Sequence, residues 1–157
     1  MSKLLKLAIG LMSGVVLFAA ENPWVGTWKL ETAKSKLSAS PKAAKELTIT
    51  VRDVGDQNVE VNIKGATNDG TPISAKYIVP MAGGPNTYIE GAPPAGITEE
   101  TKKIDERTRN ITASHDGKTL RMNHVVLSDD GNTITGTIKG VDNEGKPLAL
   151  VEVFERQ

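Results

Sequence analysis

Hydrophobic and polar positions alternate with a period of two through most of the chain beyond residue 45. Leu47, Ile49 and Val51 face one way, and Thr48, Thr50 and Arg52 the other. Val59, Val61 and Ile63 oppose Glu60, Asn62 and Lys64, and Ile73, Ala75, Tyr77 and Val79 form a third row. Leu120, Met122 and Val126 share a face with His124, while Ile134 and Ile138 oppose Thr133, Thr135 and Thr137. A period of two is that of half-buried strands. Between the rows lie Gly55-Asp56, Asn68-Asp69-Gly70, Asp105-Glu106, Asp116-Gly117, Asp129-Asp130-Gly131-Asn132 and Asn143-Glu144-Gly145. Gly and Asn accept positive φ at low cost and Asp bonds back to the chain, so these are tight reversals.

The pattern predicts nine or ten strands, over 25–31, 46–54, 58–66, 72–80, 86–91, 97–104, 107–115, 118–128, 132–141 and 146–156. Strands joined by hairpins make an antiparallel meander, and closing it removes exposed edges. The expected fold is therefore all-β, a closed up-and-down antiparallel barrel. Segment 32–45 is the main non-strand stretch, where Pro41 limits any helix to one short turn. Met81 to Gly96, rich in Gly and Pro, is expected to be a long excursion covering the barrel mouth.

Residues 1–20 have another character. Lys3 and Lys6 precede an uncharged run from Leu7 to Ala20, and Ala19-Ala20-Glu21 ends it. This is the pattern of a cleaved secretory signal, expected to form a helix, and the run is short for a hydrocarbon core of ~30 Å. The expected organisation is a signal peptide over 1–20, then one barrel domain over 21–157, secreted or periplasmic, without stable membrane insertion after cleavage. The chain has no cysteine. That excludes a lipid-anchored lipoprotein, thiol catalysis and disulfide support. Nineteen basic residues balance nineteen acidic ones, and two of the basic ones lie in the leader. Nucleic acid and polybasic membrane binding both need a basic surface, and neither is expected here.

Gly26-Thr27-Trp28 resembles the Gly-x-Trp element of lipocalins, and Gly26 to Leu30 resembles the opening of fatty-acid-binding proteins. Both belong to the calycin group of ligand-holding barrels. The resemblance implies that Trp28 closes one barrel end and that Arg156, from the last strand, lies across it. Asn22 to Lys36 is also similar to small secreted bacterial proteins that open Asn-Pro-x-x-Gly-Thr-Trp-Lys-Leu-x-x-x-Lys-Ser-Lys. Fatty-acid-binding proteins commonly carry Arg-x-Tyr on the last strand to grip a carboxylate. Here Glu152 and Phe154 take those places. An inward Glu152 would repel an anionic head group and suit a neutral or cationic ligand. Its parity with Leu148, Leu150 and Phe154 points inward, and a solvated strand end would point it outward.

The lumen such a barrel would enclose has few aromatics, and eight strands already make room for one small ligand. The expected reading is binding of a small, mostly apolar ligand. Tyr77, Tyr88, Met122, His124, Glu152 and Phe154 are the candidate contacts. The alternative is a filled barrel acting through its surface as an envelope-associated interaction module. No cofactor or metal motif is present. His115 belongs to the Asp116-Gly117 turn, and the acidic turns lack the ligand spacing of a calcium loop. His124 reads as a lumen contact or as a hydrogen-bonded core histidine. Catalysis would require it to meet a carboxylate such as Glu152 in one cavity. Glu99 to Arg107 reads as a solvated, charge-paired hairpin.

Overall fold

The computed structural model describes residues 20–157, so the proposed signal segment lies outside the described residues apart from Ala20. One antiparallel sheet of eleven strands contains almost everything else. The strands are β1 Gly26–Leu30, β2 Ala44–Gly55, β3 Asn58–Thr67, β4 Pro72–Pro80, β5 Gly84–Pro85, β6 Thr87–Glu90, β7 Ile97–Lys103, β8 Thr108–His115, β9 Lys118–Leu127, β10 Thr133–Val141 and β11 Pro147–Arg156. Their order across the sheet is β5-β7-β8-β9-β10-β11-β1-β2-β3-β4-β6. The chain's two ends pair, with Trp28 opposite Arg156. Among the described residues no helix is long and apolar enough to cross a membrane.

The barrel is nearly closed rather than fully closed. β6 pairs with β4 and β5 pairs with β7, and the chain crosses between these two edges at Asn86. One backbone bond, from Asn86 to the Glu99 carbonyl at 2.8 Å, spans the seam. Side chains complete it, through Thr101 Oγ1 to Asn86 Oδ1 at 2.8 Å and Tyr88 to Glu99 at 2.5 Å. Gly84 to Glu90 of the segment expected to cover a mouth therefore run along the wall and fill the seam. The two-residue β5 is the strand that the alternation missed, because Gly84-Pro85 offers no apolar row.

One end of the barrel is a packed floor. Trp28 is 0% exposed, and the Arg156 guanidinium lies over its ring at 4.2 Å from the centroid. Arg156 also donates to the carbonyls of Gly131 (2.9 Å), Val25 (2.7 Å) and Pro23 (2.7 Å). Gly26 is required by this arrangement. Its φ is +148°, and a Cβ there would stand 2.3 Å from Arg156 Nη1. Trp28 Nε1 donates to the Trp24 carbonyl at 3.1 Å, and Trp24 Nε1 to that of Glu106 at 3.0 Å. A second cation, Arg109, sits 5.3 Å from the Trp24 centroid. Stacking of a desolvated guanidinium on indole contributes ~2 kcal/mol, more than an exposed pair.

At the other end, a single 3-10 turn over Thr32–Lys34 follows β1. Lys36 then bridges to Val151, and Leu37 packs against the core. The chain crosses toward the β3–β4 turn, where Asn68 Nδ2 donates to the carbonyls of Ser38 (3.3 Å) and Ser40 (2.9 Å).

Candidate functional site

The inward face of the sheet encloses two adjoining chambers of about 220 and about 160 Å³. Tyr77, Ile111 and Asn123 line both. Together they enter the range of small-molecule sites, which begins near ~300 Å³. The larger chamber rests on the floor and is mostly apolar, with Val51, Val61, Val79 and Phe154 among its walls. The smaller one is bounded by Glu99, Ala113, Arg121 and Ile138. Apart from Arg109 beside Trp24, the polar groups thus gather at the waist and above it, over a mostly apolar base.

Three of the six candidate contacts line the lumen. Tyr77, from β4, reaches both chambers, and Glu152 and Phe154, from β11, line the larger one. Tyr88 stands beside them at the seam, its ring 4.8 Å from that of Tyr77 and tilted by 33°. Its hydroxyl donates to Glu99 at 2.5 Å. Burial raises the pKa of both tyrosines, with Glu99 and Glu152 adding to the effect at Tyr77 and the bond to Glu99 adding at Tyr88. Both phenols are neutral at ordinary pH and can donate a hydrogen bond.

Met122 and His124 are not in the lumen. Residues 121, 123, 125 and 127 of β9 face inward, anchored by buried Leu127, so the face carrying Met122 and His124 is the outer one. Met122 is 43% exposed. His124 Nδ1 lies 2.7 Å from Asn110 Oδ1 on the neighbouring strand, in an exposed pair. The parity argument failed because this strand's inward side carries Arg121 and Asn123, which a purely apolar lumen would not contain. His124 and Glu152 lie on opposite faces of the wall, so the one acid–base pair envisaged for catalysis does not share a cavity. No group of three or more potential metal ligands occurs among the described residues.

Glu152 does point inward. Burial raises its pKa, and neither a hydrogen bond nor a neighbouring charge contributes to the shift. Across β10 from it stands Gly136, where an added Cβ would come 2.9 Å from Asn123 Oδ1. The missing side chain lets the Asn123 amide lie over β10. Asn123 Oδ1 is buried without a hydrogen-bond partner.

Besides Asn123, four lumen-facing polar residues had been missed. Glu99 and Thr101 lie within the run read as a solvated hairpin, yet Thr101 is only 2% exposed and the Glu99 side chain 18%. Their alternation with outward Glu100 and Lys102 was the available signal. Arg121 reaches Glu99 at 3.8 Å and donates to Asn143 Oδ1 at 2.8 Å. Arg109, 5% exposed, donates to the carbonyls of Asp105 and Thr108, the latter at 3.0 Å.

This arrangement, a meander closed onto its first strand with Arg156 over Trp28, decides the architecture. It is a nearly closed, up-and-down antiparallel barrel. No family model matches the sequence, and no curated protein matches it. Among solved structures, a point variant of the fluorescent protein UnaG superposes with a TM-score of 0.60 at 14% identity, covering 86% of this chain and 96% of that one. Wild-type UnaG gives 0.59 at 14% identity, covering 85% and 97%. At this identity the likeness is one of fold.

Proposed function

We propose that the protein is a secreted or periplasmic binding protein that holds one small, mostly apolar ligand inside its barrel. The observation that carries this reading is the lumen itself, an apolar chamber over a packed floor with a few polar groups gathered at its waist. Apolar walls supply affinity through burial, and a small number of placed polar groups orient the ligand. Tyr77, Phe154 and Glu152 are the contacts proposed from among the candidates, joined by Asn123 and Ile111. Tyr88 buttresses Tyr77. The location rests on the leader pattern of residues 1–20.

The alternative, a barrel acting through its surface, has one observation in its favour. Met122 and Val126 are exposed, at 43% and 36%, on the outer face beside His124. The two readings separate by native mass spectrometry of the mature protein purified gently from its own host, with identification of any co-purifying molecule. The binding reading expects an N-terminus near Glu21 and a bound small apolar compound. A surface module gives the bare chain mass and takes up no neutral apolar dye on titration.

A further inference from the structure

We propose that the ligand carries a basic nitrogen on an apolar body, and that Glu152 and Asn123 receive this head at the waist of the barrel. The inference rests on the binding reading above and narrows it to a chemical class.

The argument is an asymmetry among the charged groups of the lumen. Both arginines are anchored within the chain, although Arg109 Nε, beside Trp24 at the base of the larger chamber, is buried without a hydrogen-bond partner. Arg121 faces Glu99 at 3.8 Å and donates to Asn143 at 2.8 Å. Arg109 is stacked on Trp24 and donates to two carbonyls. Of the two carboxylates, Glu99 has both Arg121 and the Tyr88 hydroxyl. Glu152 has neither an ion pair nor a hydrogen bond among the described residues, although it lines the larger chamber. A partly buried carboxylate without a partner carries a desolvation cost that a partner would offset. A protonated amine in the chamber would satisfy it with a charge-assisted bond, stronger than a neutral one.

Asn123 points to the same chemistry. Its amide lines both chambers, and its Oδ1 is buried and unpartnered against Gly136, the residue paired with Glu152 across β10 and β11. An amine N–H gives this acceptor a donor. A carboxylate ligand would meet the opposite situation at the waist, with a desolvated like charge at Glu152, while the unpartnered Arg109 Nε lies at the base of the chamber beside Trp24. The remaining titratable group facing this region is Tyr77, which is neutral and can donate to either class of head group.

The test compares n-octylamine, 1-octanol and octanoate as competitors of a neutral apolar dye on the mature protein and on Glu152→Gln. At about pH 8 the amine should compete roughly tenfold or more better than the alcohol, the worth of one charge-assisted hydrogen bond, with octanoate weakest. Lowering the pH below the raised pKa of Glu152 protonates the carboxyl and should reduce the amine's advantage while leaving the alcohol unchanged. Glu152→Gln should bring the amine within about twofold of the alcohol at both pH values. Octanoate competing as well as the amine, or an amine preference that survives in a Glu152→Gln protein with native circular dichroism, would overturn the proposal. Failure of the dye itself to bind would refute the binding reading, a result distinct from binding without amine preference.

Discussion

The floor and the waist of this barrel are built from the same kinds of residue and differ in how completely those residues satisfy one another. At the floor, Arg156 has three carbonyls and an indole face, and both tryptophan N–H groups have acceptors, with Arg109 Nε beside Trp24 the unpartnered exception among the described residues. At the waist, Glu152 has no partner among the described residues, and Asn123 leaves Oδ1 unpaired there. A filled, satisfied region serves stability. An unfilled region with unsatisfied polar groups costs stability and is retained where a ligand completes it. The same element, a charged side chain among apolar neighbours, is structural at one end and available for recognition at the other.

Substitutions can break that contrast. The largest effect is expected for Trp28→Ala, which opens a cavity in the floor and should cost about 3–5 kcal/mol in urea unfolding. Arg156→Gln follows, with an expected loss of about 2–4 kcal/mol, since it removes the cation over Trp28 and leaves carbonyls at the floor without their donor. Tyr88→Phe removes the bond to Glu99 across the seam. It should cost about 1–2 kcal/mol and accelerate amide exchange in β6 and β7 ahead of β10 and β11.

The waist should respond with the opposite sign. Glu152→Gln is expected to stabilise the unliganded protein by about 1 kcal/mol near pH 8, because it removes a partly buried, unpaired charge. The pH dependence follows from the raised pKa of Glu152. Between the ordinary carboxylate value and the raised folded value, the folded state binds more protons than the unfolded state. Wild-type stability therefore falls as pH rises through that window. The variant's advantage should be absent below the ordinary value and full above the raised one, as read from urea midpoints across the range.

How far the sequence could be read follows the same division. Alternation located the strands because most inward rows, such as Leu47, Ile49 and Val51, are wholly apolar. The floor was legible through Gly26-Thr27-Trp28 and the late Arg156, and the inward parity of Glu152 followed from Leu148, Leu150 and Phe154. The waist was not legible as a unit. On β9 the polar Arg121 and Asn123 take the inward side, which reverses the usual pattern and sent Met122 and His124 to the wrong face. On β7 the lumen residues Glu99 and Thr101 are hidden in a charged run. The seam escaped notice because it is closed mainly by side-chain bonds, Tyr88 to Glu99 and Thr101 to Asn86, which alternation does not record. Periodicity fails here where the barrel departs from an apolar filling, at the proposed site.

The most direct test of a ligand-holding lumen is a dye-binding titration of the wild-type barrel against Ile111→Trp, a substitution that fills the junction of the two chambers. The account predicts one equivalent of a neutral apolar dye bound by the wild type, and loss of that binding in a variant that keeps its native β circular dichroism. A folded Ile111→Trp protein that takes up dye as the wild type does would place the binding outside the barrel and contradict the account.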